Sequence, residues 1–186
     1  MQLTYPPDAV VVIAGVPGAG KTTLIRRAVD RDAVRVVDTE DRRDGRPPGP
    51  LRLYAGHYAR IVAAIAGRRP VVVHSRGTLG PLRRGIATFV RLRGRLVYLI
   101  LLDVDPAVAE ASQRGRGRTV GRDEMRRQIA RWRSLVTGRP ADRLGSEGWA
   151  SVIVLDRAQA AEVRALLFPA VVKRPARTRS PAATLG

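Results

Sequence analysis

Residues 9–23 read AVVVIAGVPGAGKTT, and this stretch decides the fold. Ala9–Ala14 is an unbroken apolar run rich in β-branched residues, the pattern of a strand buried on both faces. Gly15-Val-Pro-Gly-Ala-Gly-Lys21-Thr22 follows at once and matches the spacing G-x-x-x-x-G-K-S/T. Gly15, Gly18 and Gly20 let the chain turn tightly and approach an anion with no Cβ in the way. With Val16, Pro17 and Ala19 between them they form a loop whose main-chain N–H groups line an anion nest. The dipole of the helix that follows adds positive potential there. Lys21 then places a point charge on β- and γ-phosphates, the Thr22 hydroxyl coordinates Mg2+, and Thr23 reaches the α-phosphate. The ligand this loop implies is a nucleoside triphosphate with magnesium, with ATP the expected nucleotide. Only two of the 34 basic residues are lysines, and one of them stands here. A compact ammonium suits the socket, whereas a planar guanidinium fits it poorly.

Outward from the loop, strand and helix patterns alternate. Lys21–Asp30 reads as the helix after the loop, with Leu24, Ile25 and Ala28 on one face. Val34–Asp38 is a second strand, and Thr39–Pro50, rich in Pro and Gly, is a loop. Gly56–Ala66 is a helix with Tyr58, Ile61, Val62 and Ile65 inward and His57 at its start. Val71–His74 is a third strand, and Leu79–Leu92 a helix starting near Pro81. Arg95–Asp103 is the longest buried strand, and Asp105-Pro106 opens the next helix as N-cap and first-turn proline. A Gly/Arg-rich loop covers Gly115–Gly121. Arg122–Val136 is a basic helix with Met125, Ile129, Trp132 and Val136 at core spacing. Ser151–Leu155 is the last strand, and Asp156 with Gln159 makes a capping box for the final helix. This predicts an α/β fold: one domain over residues 1–168, with a five-stranded parallel sheet and helices on both faces. Residues 169–186 carry Pro, Ala and bases with no acid and read as a disordered tail. Ligands of such sheets bind at the carboxyl ends of the strands.

Composition sets bounds. The 186 residues suit one core, and no apolar run reaches the roughly 18 residues of a membrane span. Cysteine is absent, which excludes disulfides and thiolate-bound zinc. Met1–Asp8 lacks the basic start of a signal peptide, and a nucleotide loop points to the cytoplasm. The net charge is +18, and 32 of the 34 basic residues are arginine. Such a bias toward Arg, with many Ala, Gly and Pro, is what a GC-rich genome produces. The segment from Arg76 to Arg139 still concentrates charge, with 15 basic against 5 acidic residues. A solvated face with a phosphate lid, or a nucleic-acid surface, would each use it. Aromatic residues, at 4%, are too few for single-strand stacking platforms.

In this order of motifs the chain resembles the small P-loop kinases of the polynucleotide kinase, zeta-toxin and gluconate kinase type, a group with an AAA-type ATP-binding domain. The resemblance implies a nucleoside-kinase-like strand order of 2-3-1-4-5. Three stretches carry it: the loop at Gly15–Thr23, Val36–Arg43 (VVDTEDRR) after the second strand, and Leu101–Pro106 (LLDVDP) with Gln113–Arg118 (QRGRGR). In such kinases an acid after the second strand is the general base on an acceptor hydroxyl, and an Arg three residues on binds substrate. Glu40 and Arg43 fit that spacing, with Asp38 and Asp41 as rivals. By the same resemblance Arg114, Arg116 and Arg118 are lid arginines, in a lid near residues 114–121, that close over the phosphates. One departure stands out. The third strand of these kinases usually ends in an acid that helps hold the magnesium water shell, and here it ends in His74. Asp38 or Asp103 would then take that task. Arg76, Arg83 and Arg84 could instead grip an anionic substrate or partner.

The expected activity is transfer of the γ-phosphoryl group of ATP to a hydroxyl of a small molecule or nucleotide. The alternatives are a non-kinase ATPase or ATP-dependent switch, and a polynucleotide 5′-hydroxyl kinase using the basic segment. The acceptor is not encoded in any readable motif. A monomer or homodimer with no membrane association is expected.

Overall fold

The computed structural model describes residues 1–38, 50–114 and 122–169. At its centre is β2 (Val10–Ala14), in which all five residues are buried. A strand with no exposed face needs a neighbour on each side and a layer above and below. Its neighbours are β4 (Val71–Ser75) and β5 (Val97–Leu102), both parallel to it, with Val10 opposite Val71 and Val97. Beyond them lie β3 (Arg35–Val37) on one side and β6 (Ser151–Leu155) on the other. The five strands run in the order β3-β4-β2-β5-β6. In terms of the sheet's own strands this is the anticipated 2-3-1-4-5, and helices flank it. Leu24, Ile25, Ile61, Ile65, Ile86 and Val90 close the core against the sheet.

The helices are α1 (Lys21–Ala28), α2 (Pro50–Ala66), α3 (Gly80–Leu92), α4 (Pro106–Arg114), α5 (Arg122–Val136), α6 (Pro140–Gly145) and α7 (Arg157–Glu162). Several boundaries agree with the sequence pattern because the caps are written in it. Asp105 Oδ1 accepts the Ala107 amide at 2.7 Å at the head of α4. At α7, Asp156 and Gln159 form the reciprocal capping box. Trp132 is buried, as its core spacing on α5 implied, and Trp149 is buried as well.

Three expectations need correction. Helix α2 begins at Pro50, six residues before the anticipated start, so His57 is well inside it. Val62, assigned inward, is 47% exposed, because Ile61 and Ile65 already fill the seam. The chain also carries a second, two-stranded parallel sheet that periodicity did not reveal. In it β1 (Gln2–Thr4) pairs with β7 (Ala165–Leu167). Strands of three residues are too short to show alternation. The expected disordered tail falls almost wholly outside the described residues.

Arg95 ties the base of the sheet together. It is 3% exposed, and its guanidinium donates to four carbonyl oxygens, those of Asp8, Ile65, Gly67 and Arg69, each at 2.7 Å. It thereby caps the end of α2 and holds the segment that leads into β2. Burial pulls its pKa below the ordinary arginine value. No helix among the described residues is long and apolar enough to cross a membrane.

Candidate nucleotide and acceptor site

The loop between β2 and α1 sits at the carboxyl end of the central strand. Helix α1 opens with Gly20 as N-cap, with no side-chain cap and no acid in its first turn. Its first amides are therefore left to an outside acceptor. Within the loop, Ala19 N donates to Val16 O at 3.1 Å. The amides of Gly18, Gly20 and Thr22 make no backbone bond among the described residues. Lys21 is 6% exposed, and its Nζ donates to Gly15 O at 2.7 Å and Val16 O at 2.9 Å. The charge is thus pinned inside the curl, beside those amides. An array of N–H groups around one ammonium is an anion receptor. Thr22 is half-buried on the first turn and Thr23 is exposed.

Two contacts fix the surroundings of the loop. Gly18 (φ +87°) meets α4, and a Cβ there would lie 2.2 Å from the carbonyl oxygen of Ala109. Gly77 (φ +69°), just after β4, lies over the end of β2; a Cβ there would be 2.4 Å from that of Ala14 and 3.9 Å from the Trp132 ring. Helix α5 therefore crosses the carboxyl ends of the central strands. A groove of about 570 Å³ opens beside the loop, between Val16, the Asp103–Pro106 turn and Ile129, Trp132 and Val136 of α5. Asp103, one of the acids considered for the metal, is exposed there, and its Oδ1 accepts the Trp132 indole N–H at 3.2 Å.

On the other side of β2, the ends of β3 and β4 bring two predicted residues together. Asp38, 3% exposed, and His74, 9% exposed, meet at Oδ1···Nδ1 2.5 Å. The register explains the meeting: Val37 pairs with Val73, so the next residue of each strand emerges side by side. His74 is thus on an interior strand of the sheet. Two further residues come from α2 and were missed by sequence reasoning. His57 is 4% exposed, and its Nδ1 is buried with no hydrogen-bond partner. Burial, reinforced by Arg60, pushes its pKa down to about 4, so the ring is neutral near pH 7. Arg60 Nη2 donates to the Asp38 carbonyl at 3.3 Å, while its Nε is buried and unpartnered. The signal for both lay in the spacing: His57 stands four residues before buried Ile61 and three before Arg60, on a helix whose true start lay outside the pattern.

Arg76 is exposed directly after β4. Arg83, proposed for an anionic ligand, is instead buried and committed. It holds Glu147 through Nε at 2.8 Å and Nη2 at 2.6 Å, and Gly77 O through Nη1 at 2.5 Å. Burial raises the Glu147 pKa, but the bonds from Arg83 and Trp149 outweigh it and leave the carboxyl below its ordinary value. Arg114 ends α4, and its side chain lies outside the described set, as do Glu40, Asp41 and Arg43 and the lid residues Arg116 and Arg118.

Magnesium chemistry fits the donors present. Among the described residues no group of three or more His, Asp or Glu could hold a metal by itself. A magnesium ion carried in with phosphate oxygens and water needs only one or two protein oxygens, and Thr22 supplies a hydroxyl at the loop.

A family model described as an AAA domain matches residues 10–138, which run from β2 and the loop through the whole of α5 and leave out β1 and everything from α6 onward. No curated protein sequence matches the chain. Several solved structures share its fold. A gluconokinase from Sinorhizobium meliloti 1021 aligns with a TM-score of 0.59 at 18% identity, over 86% of this chain and 89% of its own. Kti12 of Chaetomium thermophilum, solved with ADP-AlF3, aligns at 0.55 with 15% identity, over 83% and 94%. The Pnkp1/Rnl/Hen1 RNA repair complex contains a chain that aligns at 0.55 with 16% identity, over 70% and 45%. At these identities the likeness is one of fold, a kinase-type P-loop architecture. The chain belongs to the AAA domain family of P-loop proteins.

Proposed function

We propose that the protein is an ATP-dependent phosphotransferase that passes the γ-phosphoryl group to a hydroxyl of a small molecule. The observation that carries this reading is the loop itself: amides of Gly18, Gly20 and Thr22 around a buried Lys21 ammonium, at the end of a fully buried strand. The backbone of Gly15–Gly20 cradles the phosphates, Lys21 bridges the terminal ones, and Thr23 reaches the α-phosphate. Thr22 would hold a magnesium ion, which would neutralise phosphate charge when bound. Asp38, with Glu40 or Asp41 as alternative acids, orients the acceptor hydroxyl, and Arg43 and Arg76 bind the rest of the acceptor. Arg114, Arg116 and Arg118 close over the phosphates and offset charge on the moving group. Lid closure also restricts water, so hydrolysis without an acceptor is measurable but slow beside transfer.

A second reading, a polynucleotide 5′-hydroxyl kinase, draws on α5. Arg126, Arg131 and Arg133 are exposed along it, and of the neighbouring arginines Arg127 has Glu124 as a partner. One experiment addresses both readings. Protein incubated with Mg2+ and γ-labelled ATP is offered sugars, sugar acids, nucleosides and 5′-hydroxyl oligonucleotides. Label appearing on a small hydroxyl acceptor supports the first reading, and label on the oligonucleotide supports the second. Free phosphate alone, with every acceptor unlabelled, would make the protein an ATPase.

A further inference from the structure

The end of β4 carries a histidine that the reaction just described does not use, and its surroundings are specific. His74 Nδ1 lies 2.5 Å from Asp38 Oδ1. The pair is buried, with side chains 11% and 4% exposed. It lies in register with the strand that carries the phosphate loop, since His74 pairs with Ile13, two residues before Gly15. Among the described residues, His57 and Arg60 of α2 are titratable groups near it: Arg60 reaches the Asp38 carbonyl, and the His57 ring lies against the His74 backbone. His57 is neutral near pH 7, so it does not compete for the carboxylate as a cation.

A carboxylate that must meet an acceptor hydroxyl in line with a phosphoryl group needs a fixed plane, because misplacement by an ångström costs about two orders of magnitude in rate. Asp38 follows the last residue of a three-residue strand, and its backbone alone does not set its χ2. A hydrogen bond from a ring anchored in the next strand does. Both bonded nitrogen and anchored ring come from a rigid element, which is where precise positioning is best built.

We propose that His74 is a positioning residue: its Nδ1–H holds Asp38 Oδ1 and so turns the Asp38 carboxylate toward the acceptor hydroxyl. This rests on the phosphotransferase reading above. Its content is that the histidine works through Nδ1. The hydrogen bond of the His74 ring among the described residues is made through Nδ1. If Nε2 acted on the acceptor directly, the same ring would instead be a catalytic base, and the two roles separate by substitution. The amide N–H of asparagine occupies the place of Nδ1, and that of glutamine the place of Nε2.

The test uses Mg·ATP as the sole added substrate with water as acceptor, and reads ADP formation and ATP affinity for the full chain. Lys21→Ala serves as the reference for failure of the nucleotide site. Expected for His74→Leu and His74→Gln is a fall in kcat of ten-fold or more with the KM for ATP within two-fold. His74→Asn recovers most of that loss. Melting temperatures, recorded in parallel, establish that each variant is folded at the assay temperature. Wild-type kcat in His74→Leu would overturn the proposal while leaving the phosphotransferase reading intact, provided Lys21→Ala is inactive. Rescue by Gln rather than Asn would overturn it in favour of direct action by Nε2. Wild-type turnover no greater than that of Lys21→Ala would overturn both readings together. A histidine ring 15N spectrum gives an independent check. The proposal requires a slowly exchanging His74 Nδ1 proton that disappears in Asp38→Asn, and a ring protonated only at Nε2 would contradict it.

Discussion

Gly18 and the carbonyl of Ala109 are in contact so close that no side chain fits between them: a Cβ at residue 18 would lie 2.2 Å from that oxygen. The backbone there is left-handed, with φ +87°. The phosphate loop is thus braced from behind by the first turns of α4. Gly18→Ala must push α4 away and adopt a strained conformation. It is expected to cost about 2–4 kcal/mol of stability, visible as a lower Tm, and to weaken ATP binding at least ten-fold. Gly85, exposed on the outer face of α3, has nothing within reach of an added Cβ, and Gly85→Ala is the control expected to keep both.

Arg95 is predicted to matter for stability and not for chemistry. Its four carbonyl partners lie at the amino-terminal side of the sheet, away from the loop. Arg95→Ala leaves those carbonyls to find water at a buried site and removes the stem's packing, for a cost of about 3–5 kcal/mol. Chemical denaturation should show this, while ATP affinity of the folded fraction stays within two-fold.

His57 makes stability depend on acid. Its pKa is lowered to about 4 in the fold by burial and by Arg60, against 6.5 when unfolded. Between those values the unfolded chain binds more protons, so stability rises with pH through this window and is lost as pH falls through it. The loss approaches about 3 kcal/mol at pH 4 for this one group. His57→Gln should flatten the part of the profile between pH 6.5 and 4. Denaturation midpoints taken across that range check it, and an unchanged slope would remove His57 as the source.

Much of this was legible in the sequence, for reasons specific to each element. β2 and its loop were readable because an all-apolar run followed by a Gly-Lys-Thr pattern has few other physical uses. α4 and α7 were readable because Asp105 and Asp156 are caps written into the chain. The strand order came from resemblance, since periodicity ranks no neighbours. β1 and β7 were not readable, as three residues cannot show alternation and their partners lie at opposite ends of the chain. Arg83 was misjudged because an arginine's partner, here Glu147 64 residues on, is a tertiary fact. The Asp38–His74 pair needed the β3–β4 register, which no single strand encodes.

The central claim, that the Gly15–Thr22 loop receives a triphosphate through bare amides and one buried ammonium, is tested most directly by calorimetric titration of Mg·ATP into wild type and Lys21→Ala. Saturable one-to-one binding by the wild type, weakened at least ten-fold by the substitution in a protein with an unchanged fold, is the predicted result. Equal affinity in the two proteins, or no binding by either, would contradict it.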